Sequence, residues 1–137
     1  MYTNNHNPLS WIRGIEKGHV SIGEDTWIGP FTVIDGEYDT IELGKGVNVS
    51  SGAQILTHDT VKRCISGREY SEIDHKPTRI GNRVFIGTNA VILKGCTLGD
   101  GCVVAAGAIV LEDSVIPANS LVYGVPAKYK PLNVNHD

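Results

Sequence analysis

Bulky ring side chains are scarce in this chain: of 137 residues, only two are Phe, two Trp and five Tyr. A core must therefore be assembled from aliphatic side chains rather than around large aromatic anchors. No apolar run approaches the ~18 residues that cross a bilayer as a helix, so no integral membrane segment is expected. A strong excess of one charge is missing too. The formal net charge of −3 gives no general pull toward nucleic acid or an anionic membrane. The three cysteines are odd in number and form no CxxC pair, which points to a reduced, cytoplasmic setting. The opening stretch MYTNNHNPLSWIRGIEKG has no cationic segment followed by an apolar one, so a secretory signal is not expected. What is plentiful is glycine, sixteen residues of it, beside 41 % hydrophobic and 20 % charged content. That balance describes one globular domain, 1–137, rich in tight turns.

The aliphatic residues are ordered. From Ile80, steps of six meet Ile86, Ile92, Leu98, Val104, Val110, Ile116 and Val122. The first half gives Ile22, Ile28 and Ile34, then, after a slip through GEYDT, Leu43, Val49 and Ile55. Two residues before these positions stands a small or β-branched residue, such as Thr26, Thr32, Val47, Ala53, Thr78, Ala90, Cys96 or Ala108. The residue just after is often glycine. Such a unit cannot be a helical face, because positions i and i+6 point in different directions at 3.6 residues per turn. It fits a short strand plus a turn, with i and i−2 on one face.

Stacked into a solenoid, these units share a core that no single repeat could bury. Three of them make a triangular coil, and the expected columns are Ile22, Leu43, Ile80, Leu98 and Ile116; Ile28, Val49, Ile86, Val104 and Val122; and Ile34, Ile55, Ile92 and Val110. The expected fold class is all-β: about five coils over residues 20–126, a loop insertion at 59–77 and a C-terminal tail at 127–137. Cys96 and Cys102 occupy the small inward position and read as core filler.

The run IGNRVFIGTNAVILKGCTLGDGCVVAAGAIVLEDSVIPANSLVYGVPAK resembles the hexapeptide-repeat acyltransferases. The branch it is most similar to is that of the sugar and surface-polysaccharide O-acetyltransferases. The resemblance implies a left-handed parallel β-helix, a handedness that the general crossover rule would not have suggested. It also implies a homotrimer with sites between subunits, acetyl-CoA as acyl donor, and a histidine as general base. A neutral imidazole suits that work near pH 7.

By that resemblance the base is His58, at the corner where ILTHD leaves the repeat, and the Thr88 N–H faces the thioester carbonyl. Thr88, Ala106, Gly107, Leu111 and Lys128 fall at coenzyme A positions, with Lys130 as a helper. Glu112 stands where relatives carry a lysine near the nucleotide end. Asp35, Tyr38 and His75 are candidates for the acceptor side, and Asp59 for orienting an imidazolium. His6, His19 and His136 read as surface residues. The expected acceptor is a sugar of surface-polysaccharide or lipopolysaccharide synthesis, nucleotide-linked or lipid-linked, acylated on a hydroxyl or an amine. No metal is expected. Two other readings stay open: a metal-dependent hydratase of the γ-carbonic-anhydrase kind, for which a third suitably spaced histidine is missing, and a non-enzymatic β-solenoid binding module.

Overall fold

The computed structural model describes residues 8–133. Its strands are mostly two or three residues long and stack in three parallel sheets, so the chain climbs as a triangular prism. The first face holds Val20–Ile22, Ile41–Leu43, Thr78–Ile80, Thr97–Leu98 and Val115–Ile116. The second holds Trp27–Ile28, Asn48–Val49, Phe85–Ile86, Val103–Val104 and Ser120–Tyr123, the last flanked by the antiparallel strand Lys128–Pro131. The third holds Trp11–Arg13, Val33–Asp35, Gln54–Ile55, Val91–Ile92 and Ile109–Val110.

The aliphatic columns fall in register as their spacing requires: Ile34 on Ile55, Ile55 on Ile92 and Ile92 on Val110, with equivalent stacks on the other faces. These side chains are almost fully buried. Alternation within each strand sends the i−2 residue inward too, where only a small or branched side chain fits between the three faces. Cys96 and Cys102 fill that position, and their thiols donate to the Leu111 and Pro117 carbonyls at 3.0 and 3.1 Å. Burial raises both thiols above the ordinary cysteine range, Cys96 to about 11, as befits core filler rather than reactive groups. The glycine after the first-face strand has its own cause. A Cβ on Gly44 would lie 2.7 Å from the Gly81 carbonyl carbon on the next coil, a contact no side chain tolerates.

The ladder also reaches further back than residue 20. Trp11–Arg13 pairs with Val33–Asp35, which puts Ile12 below Ile34. Ser10 and Ile12 obey the two-part rule, but a 3-10 turn at Ile15–Lys17 stretches the next step to Ile22 and hides the period. The three irregular stretches 14–19, 36–40 and 56–77 all lie where the third face turns into the first, hereafter the insertion corner. The outward column of the third face is mostly apolar, with Trp11, Val33, Gln54, Val91 and Ile109, whereas the first face shows Ser21, Glu42, Arg79, Thr97 and Val115.

Truncating Ile92, which has no exposed surface, to alanine leaves a cavity walled by two coils. Denaturant titration of Ile92→Ala is expected to show a loss of about 2–5 kcal/mol.

Candidate functional site

His58 sits at the insertion corner because Ile55 ends a strand there and the chain leaves the prism. Instead of turning onto the first face, it forms a short antiparallel ribbon, His58–Asp59 against Asp74–His75. His58 and His75 are directly paired across it. The coil below supplies two neighbours to the His58 ring. Tyr38 meets it edge-on, with centroids 4.7 Å apart and planes at 64°. The Asp35 carboxylate lies 3.8 Å from Nδ1, which is shielded from solvent and has no hydrogen-bond partner among the described residues.

Asp35, a candidate for the acceptor side, is itself buried. It accepts from Arg13 at 3.0 Å and from the Glu37 N–H at 3.1 Å, so it faces the imidazole more than open space. Thr57, beside His58, donates its hydroxyl to the Asp35 carbonyl at 2.7 Å and pins the two coils together. Tyr38 and His75 remain accessible. The His75 Nδ1 is held by Asp39 at 2.7 Å. His19 is only partly exposed and bonds through Nδ1 to the Gly36 carbonyl at the same corner. His6 and His136 lie outside the described residues.

Above His58 the corner is apolar. Leu56, Leu93 and Leu111 stack one per coil and wall a cleft together with His58, Asp59, Val61, Lys94 and Glu112. Lys94 is buried and bonds at once to Asp59 and Glu112. Burial pushes its ammonium down, but the two carboxylates more than offset this and hold it above the ordinary lysine range. Burial likewise raises the Asp59 carboxyl, and Lys94 with the Val61 N–H outweighs it, leaving Asp59 below its usual value. Glu112, which would repel a phosphate if free, is thus paired with a lysine that it shares with Asp59 and that the sequence pattern alone does not single out. The only signal was spacing: Lys94 and Glu112 are 18 residues apart, the length of one coil.

The other expected residues lie elsewhere. Thr88, Ala106 and Gly107 stand at the corner where the second face turns into the third, and Gly107 N–H donates to the Thr88 carbonyl at 2.9 Å. All three are exposed, and a Cβ on Gly107 would meet nothing within 4 Å, so the backbone there is open to a ligand. Among the described residues no acceptor meets the Thr88 N–H. Lys128 follows this corner on the last coil, exposed and without a carboxylate partner among the described residues. Within one chain, then, His58 and Leu111 are separated from Thr88, Ala106 and Gly107 by the width of the third face. No group of three or more His, Cys, Asp or Glu side chains suited to a metal occurs among the described residues. No described helix is long and apolar enough to cross a membrane.

The family described as Bacterial transferase hexapeptide (six repeats) matches residues 77–112. Among solved structures, a hexapeptide-repeat-containing acetyltransferase from Vibrio cholerae, complexed with acetyl coenzyme A, superposes with a TM-score of 0.78. It is 30 % identical, over 93 % of this chain and 67 % of that one. The chain belongs to the hexapeptide-repeat acyltransferase family.

A maltose O-acetyltransferase from Clostridium difficile gives a TM-score of 0.75 at 25 % identity, over 93 % of this chain and 66 % of that one. With this membership goes the left-handed path of the β-helix. Among curated relatives, Protein CapG of Staphylococcus aureus is 45 % identical over 89 residues, 64 % of this chain and 50 % of CapG. A mitochondrial γ-carbonic anhydrase of Arabidopsis thaliana is 35 % identical over 82 residues, 60 % of this chain but 26 % of that protein. The chain thus spans half, or less, of the length of these curated relatives.

The Asp59–Lys94 pair has a pH signature. Because the folded Asp59 sits below its ordinary value of 3.8, its contribution is complete above that value and disappears as pH falls through the folded one. The difference in Tm between wild type and Asp59→Asn is therefore expected to be largest at neutral pH and to shrink on acidification below about pH 4.

Proposed function

We propose that this chain is an acyl-CoA-dependent acyltransferase that moves an acetyl group to a sugar hydroxyl, or an amine, in surface-polysaccharide synthesis. The observation that carries this reading is His58, at the mouth of an apolar cleft with its Nδ1 buried beside the Asp35 carboxylate. Asp35 backs the ring on its Nδ1 side at 3.8 Å, beyond hydrogen-bond length, and Tyr38 packs against it edge-on, which leaves Nε2 for the acceptor proton. As the acceptor oxygen attacks the thioester carbonyl, His58 takes its proton, and the Thr88 N–H donates to the oxyanion. Asp35, backed by Arg13, steadies the imidazolium that forms. Tyr38 and His75 flank the acceptor side.

The residues present suit coenzyme A. Ala106 and Gly107 leave backbone open to a pantetheine arm, Leu56, Leu93 and Leu111 offer it an apolar wall, and Lys128, with no carboxylate partner among the described residues, is a cation for a phosphate. The two halves of this set lie at the two ends of the third face. A ring of three copies with third faces turned inward, their apolar columns covered, sets the insertion corner of one copy against the Thr88 corner of the next. The mostly apolar outward column of the third face and the split of the site residues between its two ends support this reading of a homotrimer with a shared site.

The likeness to a γ-carbonic anhydrase supports a second reading, a metal-dependent hydratase. His58 and His75 are paired, but no third ligand joins them among the described residues. Elemental analysis separates the two readings, since a hydratase would hold a stoichiometric divalent metal.

Thiol release from acetyl-CoA against a panel of sugar acceptors tests the main reading. The wild type is expected to turn over, and His58→Ala to lose about a hundred- to ten-thousand-fold in kcat with the KM for acetyl-CoA little changed. Undiminished turnover in His58→Ala removes His58 as the base. A monomeric mass at micromolar concentration removes the shared site.

A further inference from the structure

Among the described residues only two charged side chains are buried, Asp35 and Lys94. Both stand at the insertion corner. Asp35 lies on the coil below His58, faces its ring and already has a part in the reaction. Lys94 lies above His58 and has none. Its two carboxylates keep the ammonium protonated, so it offers no base. A buried ion pair is weak support for stability, because taking the charges out of water offsets much of their attraction. What a double bridge does supply is fixed geometry, since one ammonium sets where both carboxylates stand.

Each of the three bridged residues is one step along the chain from a wall of the His58 cleft. Asp59 follows His58, Lys94 follows Leu93 and Glu112 follows Leu111. The prism holds the two leucines in register by its own ladder, through the Leu93 N–H and the Val110 carbonyl at 3.1 Å. His58 is placed differently, because its strand belongs to the ribbon that has left the prism. Below, the Thr57 hydroxyl holds the start of that strand to the Asp35 carbonyl. Above, among the described residues, the Asp59–Lys94 pair is the one side-chain tie between this strand and the coils of the apolar wall. Asp59, a candidate for orienting an imidazolium, is occupied by Lys94 and by the Val61 N–H instead.

We propose that Lys94 is a positioning residue: through Asp59 and Glu112 it sets the reach of His58 to an acyl donor lying along Leu56, Leu93 and Leu111. This rests on the acyltransferase reading and adds to it the group that fixes the distance from base to thioester. Without the ammonium, Asp59 and Glu112 are left as like charges that push apart, and the ribbon moves off the wall with Asp59. A shift of about 1 Å between reacting groups is enough to slow a reaction about a hundredfold. The neighbouring bridge from Lys76 to Asp113 offers a contrast, since it is exposed and neither of its residues walls the His58 cleft.

Magnetic resonance of histidine-labelled protein reads that reach without turnover. The ring signal of His58, identified by its absence in His58→Ala, is expected to shift when acetyl-CoA is added to the wild type. In Lys94→Met that shift is expected to fall about threefold or more, and by less in Asp59→Asn, which keeps an acceptor for the Val61 N–H, while calorimetry shows acetyl-CoA affinity unchanged. In turnover, kcat of Lys94→Met is expected to drop about ten- to a hundred-fold with the KM for acetyl-CoA held. The double variant is expected to lose no more than Lys94→Met alone, because the pair acts as a unit. Lys94→Arg, whose guanidinium can still span two carboxylates, is expected to recover most of both readouts. Lys76→Met is expected to change neither. Lys94 has no positioning role if the His58 shift and kcat survive in Lys94→Met, if acetyl-CoA affinity falls in step with kcat, or if Lys76→Met does the same damage. Should Lys94→Met fail to fold, Asp59→Asn decides by the same criteria. A wild type that binds no acetyl-CoA is a separate result, and it overturns the acyltransferase reading on which the proposal stands.

Discussion

Each coil of this prism can bury its aliphatic side chains only against the coils above and below it. The hexad is too short to close a core alone, so Ile34, Ile55, Ile92 and Val110 have to stand in line. Everything else follows from keeping that line. The inner volume admits only small or branched residues at the second inward position, which is why threonine, alanine and buried cysteine recur there. Glycine follows the first-face strands because coils pass so close that a Cβ on Gly44 would strike the next backbone. A lattice this regular is stiff, and it offers little concave surface of its own.

Chemistry therefore has to be added where the lattice tolerates interruption. A corner tolerates it, since a loop can leave there without breaking the parallel ladder. This chain uses one corner for all three of its irregular stretches, so the first coil's Arg13, the second coil's Asp35 and Tyr38, and the insertion's His58 converge in space although spread over 46 positions in sequence. Lys94 then ties the base of the insertion to the two coils above, through Asp59 and Glu112. The rigid prism supplies the distances, and the corner supplies the groups.

How much of this could be read beforehand depended on whether a residue obeyed the period. The three columns, their partners and the corner positions of the insertions were legible, because an aliphatic every six residues leaves few alternatives. His58 was legible as a polar residue one turn past Ile55. Ile12 was not, since the 3-10 turn at Ile15–Lys17 lengthens the step that follows it. Nor was the burial of Lys94, because a lysine in a turn ordinarily reads as surface, and its carboxylates lie 35 residues before it and 18 after. The facing of Asp35 toward His58 was hidden for a related reason. It depends on Arg13 one coil below, in a stretch where the repeat is hard to see. Contacts between coils obey the coil length, while local pattern reading sees only neighbours.

The central claim is that one site draws on two corners of different copies, His58 from one and the Thr88 corner from the next. Subunit mixing tests it most directly. His58→Ala and Ala106→Trp, the second obstructing the open backbone beside Gly107, are each expected to abolish acetyl transfer when assembled alone. Dissociated and reassembled together, they are expected to recover activity, because some interfaces pair an intact His58 with an intact Thr88 corner. Mixtures that stay inactive at every ratio, although mass measurement shows mixed assemblies, would contradict the account.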